Sequence, residues 1–417
     1  MFYYKHKGKY LFSLSDNYSY ERIDNIPDNP ENIKELYFLY KFDKNKSKKT
    51  YALTHVSDIF NEEENLDLLK LKSKDNKEEK FENTEKIPDN IERLIELERV
   101  KAVNTDYDNY EECFCINEIA KKRVNLLALG DVGSTLLTGL KLLGGNCVSS
   151  IGIYDRSPDK VKRWEYEMNQ TSFPFEFDKL PEVHGIEKNQ LFDCDMFVFC
   201  ASKGVPPVGQ ENIDVRMVQF EENAKLIKEY AEMAADNNFK GIFAVVSDPV
   251  DLLCATVLKE SRGVLAPEQI KGYGLGVMNA RAAYYSKKHD EYSSYLTEGR
   301  AYGPHGNDLV IANSIINYDD KLSKELTKLA VEANLEVRKA GFKPYIAPAL
   351  SSGAISIIYT LEGKWHYSSN YLGGAFMGAK NRSLPIGLEI EKIKMPEELF
   401  QRIKYTYDNL ISYNMYT

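Results

Sequence analysis

The sequence predicts an α/β protein: a doubly wound parallel sheet, an α+β domain behind it, and a small α+β extension in front. Three observations carry this. From Lys122 onward, apolar runs of strand length (VNLLAL, VSSIGIYD, CDMFVFCAS, GIFAVVSDP) alternate with helical patterns. Continuous apolar runs mark strands buried on both faces, and strand–helix alternation builds parallel sheets. The first strand runs into GDVGSTLLTGLKLLGG, a glycine turn feeding a helix that ends in paired glycines. Between the last two strands, Met217, Phe220, Ala224, Ile227 and Ala231 recur at three- and four-residue steps, which is a helix with one apolar face.

Residues 1–120 read differently. YFLYKF and KKTYALTHV alternate as short strands, and Asn61 to Val100 is charged at about half its positions. IPDNIERLIELERVKAV reads as a helix with Asp89 or Asn90 as its cap. No chemical motif stands in this part. The expected division is an extension over 1–120, a nucleotide-binding domain over 121–275 and a substrate domain over 276–417.

Bulk properties narrow the function. A chain of 417 residues suits two or three domains, and 43% hydrophobic residues can fill sizeable cores. A net charge of −9 gives no electrostatic reason to expect a nucleic-acid partner. No apolar run approaches the roughly 18 residues that span a bilayer, and the N-terminus lacks a signal-peptide core. Cys113, Cys115, Cys147, Cys194, Cys200 and Cys254 match no zinc spacing. Buried, reduced thiols in a cytoplasmic protein are expected, with no metal.

The turn Ala128-Leu-Gly130-Asp131-Val132-Gly133 lies between a strand and a helix. Glycine there lets a phosphate approach the helix N-terminus, so this is the phosphate-binding turn of a Rossmann domain. Asp155 ends the next strand, 22 residues after Gly133, where a carboxylate accepts from an adenosine ribose and repels a 2′-phosphate. The expected cofactor is NAD rather than NADP, although Arg156 stands beside Asp155. Ala128 replaces the usual first glycine, and Asp131 must turn its charge away from a pyrophosphate.

From here the chain resembles the lactate/malate dehydrogenase family, over roughly residues 122–417. SKGVPPVGQENIDVR resembles the loop that closes over substrate, with Arg216 at its end. VVSDPVDLL resembles the family's Asn-Pro-Val-Asp segment, GLGVMNARAAYYS its Asp-x-x-Arg helix, and GPHGND its His-Gly-Asp box. SSGAISI and YLGGAFMGAKNR resemble the late helix and strand pair. The resemblance implies an NAD-dependent oxidoreductase moving a hydride to or from a small 2-hydroxy or 2-oxo acid, as a homodimer or homotetramer. It implies that His305 is the acid/base group, Arg281 the carboxylate anchor and Arg216 the stabiliser of the developing oxyanion. It places Ser351 at the substrate and Ala201 and Ser247 at the cofactor.

The sequence departs from the family at three places. Met278 stands three residues before Arg281, where the family carries the aspartate that orients its histidine. Asp248 stands where the family has asparagine. The two changes together suggest that the lost carboxylate reappears at 248, with Asp308 and Asn279 as other partners for His305. No arginine falls near Pro206–Val208 to meet a second carboxylate, so malate is not expected as substrate. The alternative reading is an NAD-binding or interaction protein without catalysis. The related metal-dependent glycosidases need a Cys–His metal pair, which SDPVD lacks.

Overall fold

A computed structural model of the chain describes residues 1–27, 29–71, 87–114, 121–203, 215–306 and 308–415. It forms two compact units. One is Met1–Ile119 with Leu372–Gly374 and Arg382–Lys394; the other is Ala120–Tyr371 with Ala375–Asn381 and Met395–Thr417.

In the first unit, FYYKHKGKYLFS folds as a hairpin of β1 (Phe2–His6) and β2 (Lys9–Ser13). Its turn residues Lys7 and Gly8 take left-handed φ values of 46° and 77°, the turn geometry that matches strand twist. β3 (Glu21–Ile23), β4 (Leu36–Tyr40), β5 (Thr50–Ala52) and β6 (Val100–Asn104) complete a sheet ordered β3-β1-β2-β4-β6-β5. Side chains of β4 alternate between two cores. Leu36 and Phe38 pack with Ile91, Leu94 and Ile95 of α1 (Asp89–Glu96); Tyr37 and Leu39 pack with Tyr4, Leu11 and Phe114.

The structure corrects the reading of 87–103 as one helix. The helix stops at Glu96, and VKAVN is a strand paired on both sides, with Glu98 turning the chain at φ 55°. β-Branched Val100 and Val103 at buried positions favour that strand. Neither expected cap acts as one: Pro88 occupies the cap position, and Asp89 opens the helix, where its charge suits the dipole.

The second unit carries the parallel sheet. β7 (Lys122–Leu127), β8 (Val148–Tyr154), β9 (Glu182–Gly185), β10 (Met196–Phe199), β11 (Ile242–Val245) and β12 (Ile270–Gly272) are ordered β9-β8-β7-β10-β11-β12. All five pairings are parallel. This is the Rossmann order, whose direction reverses between β7 and β10. α2 (Asp131–Leu143) covers one face through Leu136, Leu137 and Leu140. α3 (Pro158–Asn169) follows β8 and contributes Val161, Trp164 and Met168 to the edge of the same core. α4 (Val215–Asp236) and α5 (Val250–Glu260) cover the other face through Ile227, Tyr230, Leu253 and Val257. The short strands EVHG and IKG carry too little pattern to be read from sequence.

Beyond β12 come α6 (Leu275–Ser286), α7 (Tyr295–Glu298), the hairpin of β13 (Arg300–Tyr302) and β14 (Val310–Ala312), and α8 (Asp320–Lys339). A π-helical stretch, Pro348–Ile355, leads into α9 (Ser356–Leu361). β15 (His366–Tyr371) pairs antiparallel with β12 and with β16 (Phe376–Leu384). The chain then contributes β17 (Gly387–Ile390) to the first unit, where Gly387 passes so close to Tyr51 and Ala52 that a Cβ would stand 3.0 Å from their backbone. α10 (Glu397–Met415) closes the second unit.

Cys113, Cys147, Cys194, Cys200 and Cys254 are free thiols; burial pushes Cys147 up to about 11 and Cys194 up to about 12. Cys115 lies outside the described residues. Among the described residues, no group of His, Cys, Asp and Glu could hold a metal ion, and no helix is long and apolar enough to cross a membrane.

Candidate cofactor and active site

The chain leaves β7 through Ala128 at φ 76°, a left-handed conformation that costs an alanine about 1 kcal/mol relative to glycine. Gly130 caps α2, and a Cβ on it would meet nothing within 4 Å. Gly133 is the opposite case. A Cβ there would stand 1.9 Å from the Ala128 carbonyl oxygen, so only glycine lets α2 start this close to the end of β7. Open space, the first-turn amides of a helix and its dipole thus meet at the point where the strand order reverses. These residues fit a dinucleotide's pyrophosphate.

The acidic residues of this turn have defined partners. The Asp131 carboxylate meets Lys343 Nζ at 3.2 Å. Asp155 Oδ2 accepts from the Leu129 amide at 2.8 Å and Oδ1 from the Ser157 amide at 3.0 Å, with Lys160 Nζ 3.8 Å away. Each oxygen keeps a second lone pair, so one carboxylate both pins the turn and can receive ribose hydroxyls. Val132 is half-buried and Arg156 exposed. Across the crevice, Ser247 Oγ donates to the Ala201 carbonyl at 2.8 Å, joining the ends of β10 and β11.

Past β11, Asp248 precedes a cis proline. Its Oδ1 lies 3.1 Å from His305 Nδ1. An ionised carboxylate can only accept, so this geometry suits an imidazole protonated on Nδ1, which would leave Nε2 for proton exchange. Asp251, in the first turn of α5, accepts from Ser369 Oγ at 2.7 Å. Burial pushes its carboxyl up to about 7; the Ser369 bond and His305 oppose this, and Asp248 adds to it.

α6 supplies the remaining groups. Met278 is buried and Arg281 follows one turn later on the same face. Arg281 Nη1 donates to the Ala330 carbonyl at 3.3 Å and lies 3.5 Å from Met278 Sδ. Burial lowers the guanidinium from its ordinary value, and Asp248 leads the charges opposing that. Ser352 fixes the start of α6: its Oγ donates to the Gly274 carbonyl at 2.7 Å and accepts from the Val277 amide at 2.8 Å.

A sequence model of the lactate/malate dehydrogenase NAD-binding domain matches residues 122–272. Over that span the chain is similar to the lactate/malate dehydrogenases. The L-lactate dehydrogenase of Staphylococcus epidermidis is 24% identical over 319 residues, covering 69% of this chain and 97% of that protein. The malate dehydrogenase of Sulfurisphaera tokodaii is 26% identical over 216 residues, 50% of this chain and 65% of that protein. Among solved structures, a lactate dehydrogenase from a deep-sea metagenome library shares the fold at TM-score 0.59 and 18% identity, over 71% of this chain and 98% of that one. The malate dehydrogenase of Plasmodium falciparum does so at TM-score 0.57 and 18% identity, over 70% and 97%. The family's NAD-binding domain accounts for the glycine turn and its crevice.

Among the partners considered for His305, Asp248 is the one found at Nδ1. Asn279 Oδ1 instead accepts from Tyr295 OH at 2.8 Å, and the Asp308 backbone carbonyl accepts from Thr406 Oγ1 at 2.9 Å. Ser351 is half-buried, and its carbonyl accepts from Ser356 Oγ. Arg216 stands in the first turn of α4, with its side chain outside what the structure describes; Pro206–Val208 also lie outside the described residues.

Sequence reasoning missed Asn223, Asp251 and Ser352. Asn223 left a signal: it falls three residues after Phe220 and four before Ile227, an amide within an apolar stripe. Asp251 and Ser352 left none, because an aspartate in a helix's first turn and one serine among several are ordinary.

Proposed function

We propose that this chain transfers a hydride between NAD(H) and a small monocarboxylic 2-oxo or 2-hydroxy acid. The observation that supports this is the His305–Asp248 pair beside Arg281, in a chain whose family position for the orienting aspartate holds Met278. His305 gives the proton to the substrate oxygen during reduction and takes it back during oxidation. Asp248 holds the imidazole in the Nδ1–H form and stabilises the imidazolium. Arg281 anchors the substrate carboxylate with Ser351 beside it, and Arg216 stabilises the oxyanion. The Asp248 charge and the lack of an arginine near Pro206–Val208 disfavour a second carboxylate, hence malate.

Ala128, Gly130, Asp131, Val132, Gly133, Asp155, Arg156, Ala201 and Ser247 are the residues that would hold NAD, which supplies the hydride acceptor when bound. Asp155 at the ribose favours NAD over NADP; Asp155→Ala is expected to weaken NAD and relax that preference in calorimetric titration. Residues 121–275 serve the cofactor and 276–417 the substrate, in a cytoplasmic homodimer or homotetramer.

A screen of 2-oxo acids with NADH, followed by absorbance, tests the reading. Oxidation of NADH by monocarboxylic acids, lost in His305→Ala, is the expected result. NADH binding without turnover on any 2-oxo acid would favour the second reading, an NAD-binding protein without catalysis, which Met278 supports.

A further inference from the structure

Two loops meet at this site: Ala201–Lys203 after β10, and Ser247–Asp248 after β11. Neither is regular structure, so their backbone groups need partners from elsewhere. Asn223 of α4 supplies them. Its Oδ1 accepts from the Lys203 amide at 2.9 Å. Its Nδ2 donates to the Asp248 carbonyl at 2.8 Å and reaches Ser202 Oγ at 3.4 Å. The residue is fully buried. Asp248 is the residue whose carboxylate meets His305 Nδ1.

We infer that Asn223 is a positioning residue: by clamping the Asp248 backbone to the end of β10, it holds the Asp248 carboxylate on His305 and so fixes the histidine's tautomer. The inference rests on His305 and Asp248 acting as proposed above, and goes beyond it by naming what sets their geometry. Ser247 cannot replace the clamp, because its hydroxyl bonds the Ala201 carbonyl and leaves the Asp248 carbonyl untouched. Without Asn223 the Asp248 carbonyl and the Lys203 amide lose their shared partner, and the Asp248 backbone is no longer tied to the end of β10.

The test reads the tautomer by ¹⁵N NMR of His305 in the full chain, at a pH where the ring is neutral. Wild type is expected to show mainly the Nδ1–H form, and Asp248→Ala the Nε2-protonated form that an unpartnered imidazole prefers. Asn223→Ala is expected to move the population at least halfway to the Asp248→Ala value. Asn223→Asp keeps the acceptor for Lys203 and loses the donor to Asp248, and is expected to do the same. A folded Asn223→Ala or Asn223→Asp protein with the wild-type tautomer overturns the inference. If neither variant folds, Asn223 determines the fold rather than the tautomer, and the inference also falls. The readout needs no turnover, so an inactive wild type would defeat the proposed function while leaving this result interpretable.

Discussion

The glycine turn and the histidine corner both belong to the second unit, and they depart from the lactate/malate dehydrogenase pattern in different ways. At the turn the requirement is backbone geometry: a left-handed residue at 128, open space at 130 and a close approach at 133. Ala128 meets the first at a modest cost, so one side chain changes and the site keeps its shape. At the histidine the requirement is a carboxylate within reach of Nδ1, with no fixed origin in the chain. Met278 stands where the family pattern would supply it, and the Asp248 carboxylate, from another segment, lies 3.1 Å from Nδ1. A geometric requirement ties a residue to its position, whereas an electrostatic one can be met from any element that reaches the same point.

That contrast can be sharpened by experiment. The largest loss is expected at the histidine: His305→Ala should lower turnover by roughly 10²–10⁴, read with NADH and whichever 2-oxo acid the screen identifies. Full activity in this variant would make the histidine structural. Gly133→Ala comes next. Forcing a Cβ to 1.9 Å from the Ala128 oxygen should cost about 3 kcal/mol in denaturant unfolding and abolish NAD binding. Wild-type behaviour would remove the geometric half of the comparison.

A pH prediction concerns two buried titratable groups of the second unit. Burial lowers Lys271 to about 7, and its Nζ donates to Asn370. Its contribution to stability is fully present above its ordinary value near 10.5 and is lost as pH falls to 7, with a slope of up to about 1.4 kcal/mol per pH unit. Asp251, raised to about 7, acts in the opposite sense: its contribution is present below 3.8 and is lost as pH rises through 7. Lys271→Met should remove the alkaline slope and Asp251→Asn the acid one, measured by urea unfolding across pH. The smallest effect is expected at Ala128→Gly, a gain of at most about 1 kcal/mol with NAD binding retained. A loss would show that the left-handed turn carries no cost.

The parallel sheet was legible because its strands are long apolar runs between helical stripes, and the cofactor turn because glycine sits between a strand and a helix. The β1–β2 hairpin was not, since FYYKHKGKYLFS sets a basic block, KHKGK, between FYY and YLF and shows no period-two alternation. β6 was hidden by the helical pattern before it; pairing on both edges, which sequence does not show, decided for strand. At the site, Asp248 was legible as a substitution, but its meeting with His305 depends on two segments 57 residues apart. Asn223 acts on backbone atoms, which carry no sequence signal at their own positions.

The reassigned carboxylate is tested by turnover in three variants on one 2-oxo acid. Asp248→Asn restores the family's residue at that position but removes the charge from Nδ1, and should lower turnover by about 10²-fold or more. Met278→Asp alone should change it less. The double variant, with the family's pair complete, should recover most of the loss. Wild-type turnover in Asp248→Asn, or a double variant no faster than that single one, would contradict the account.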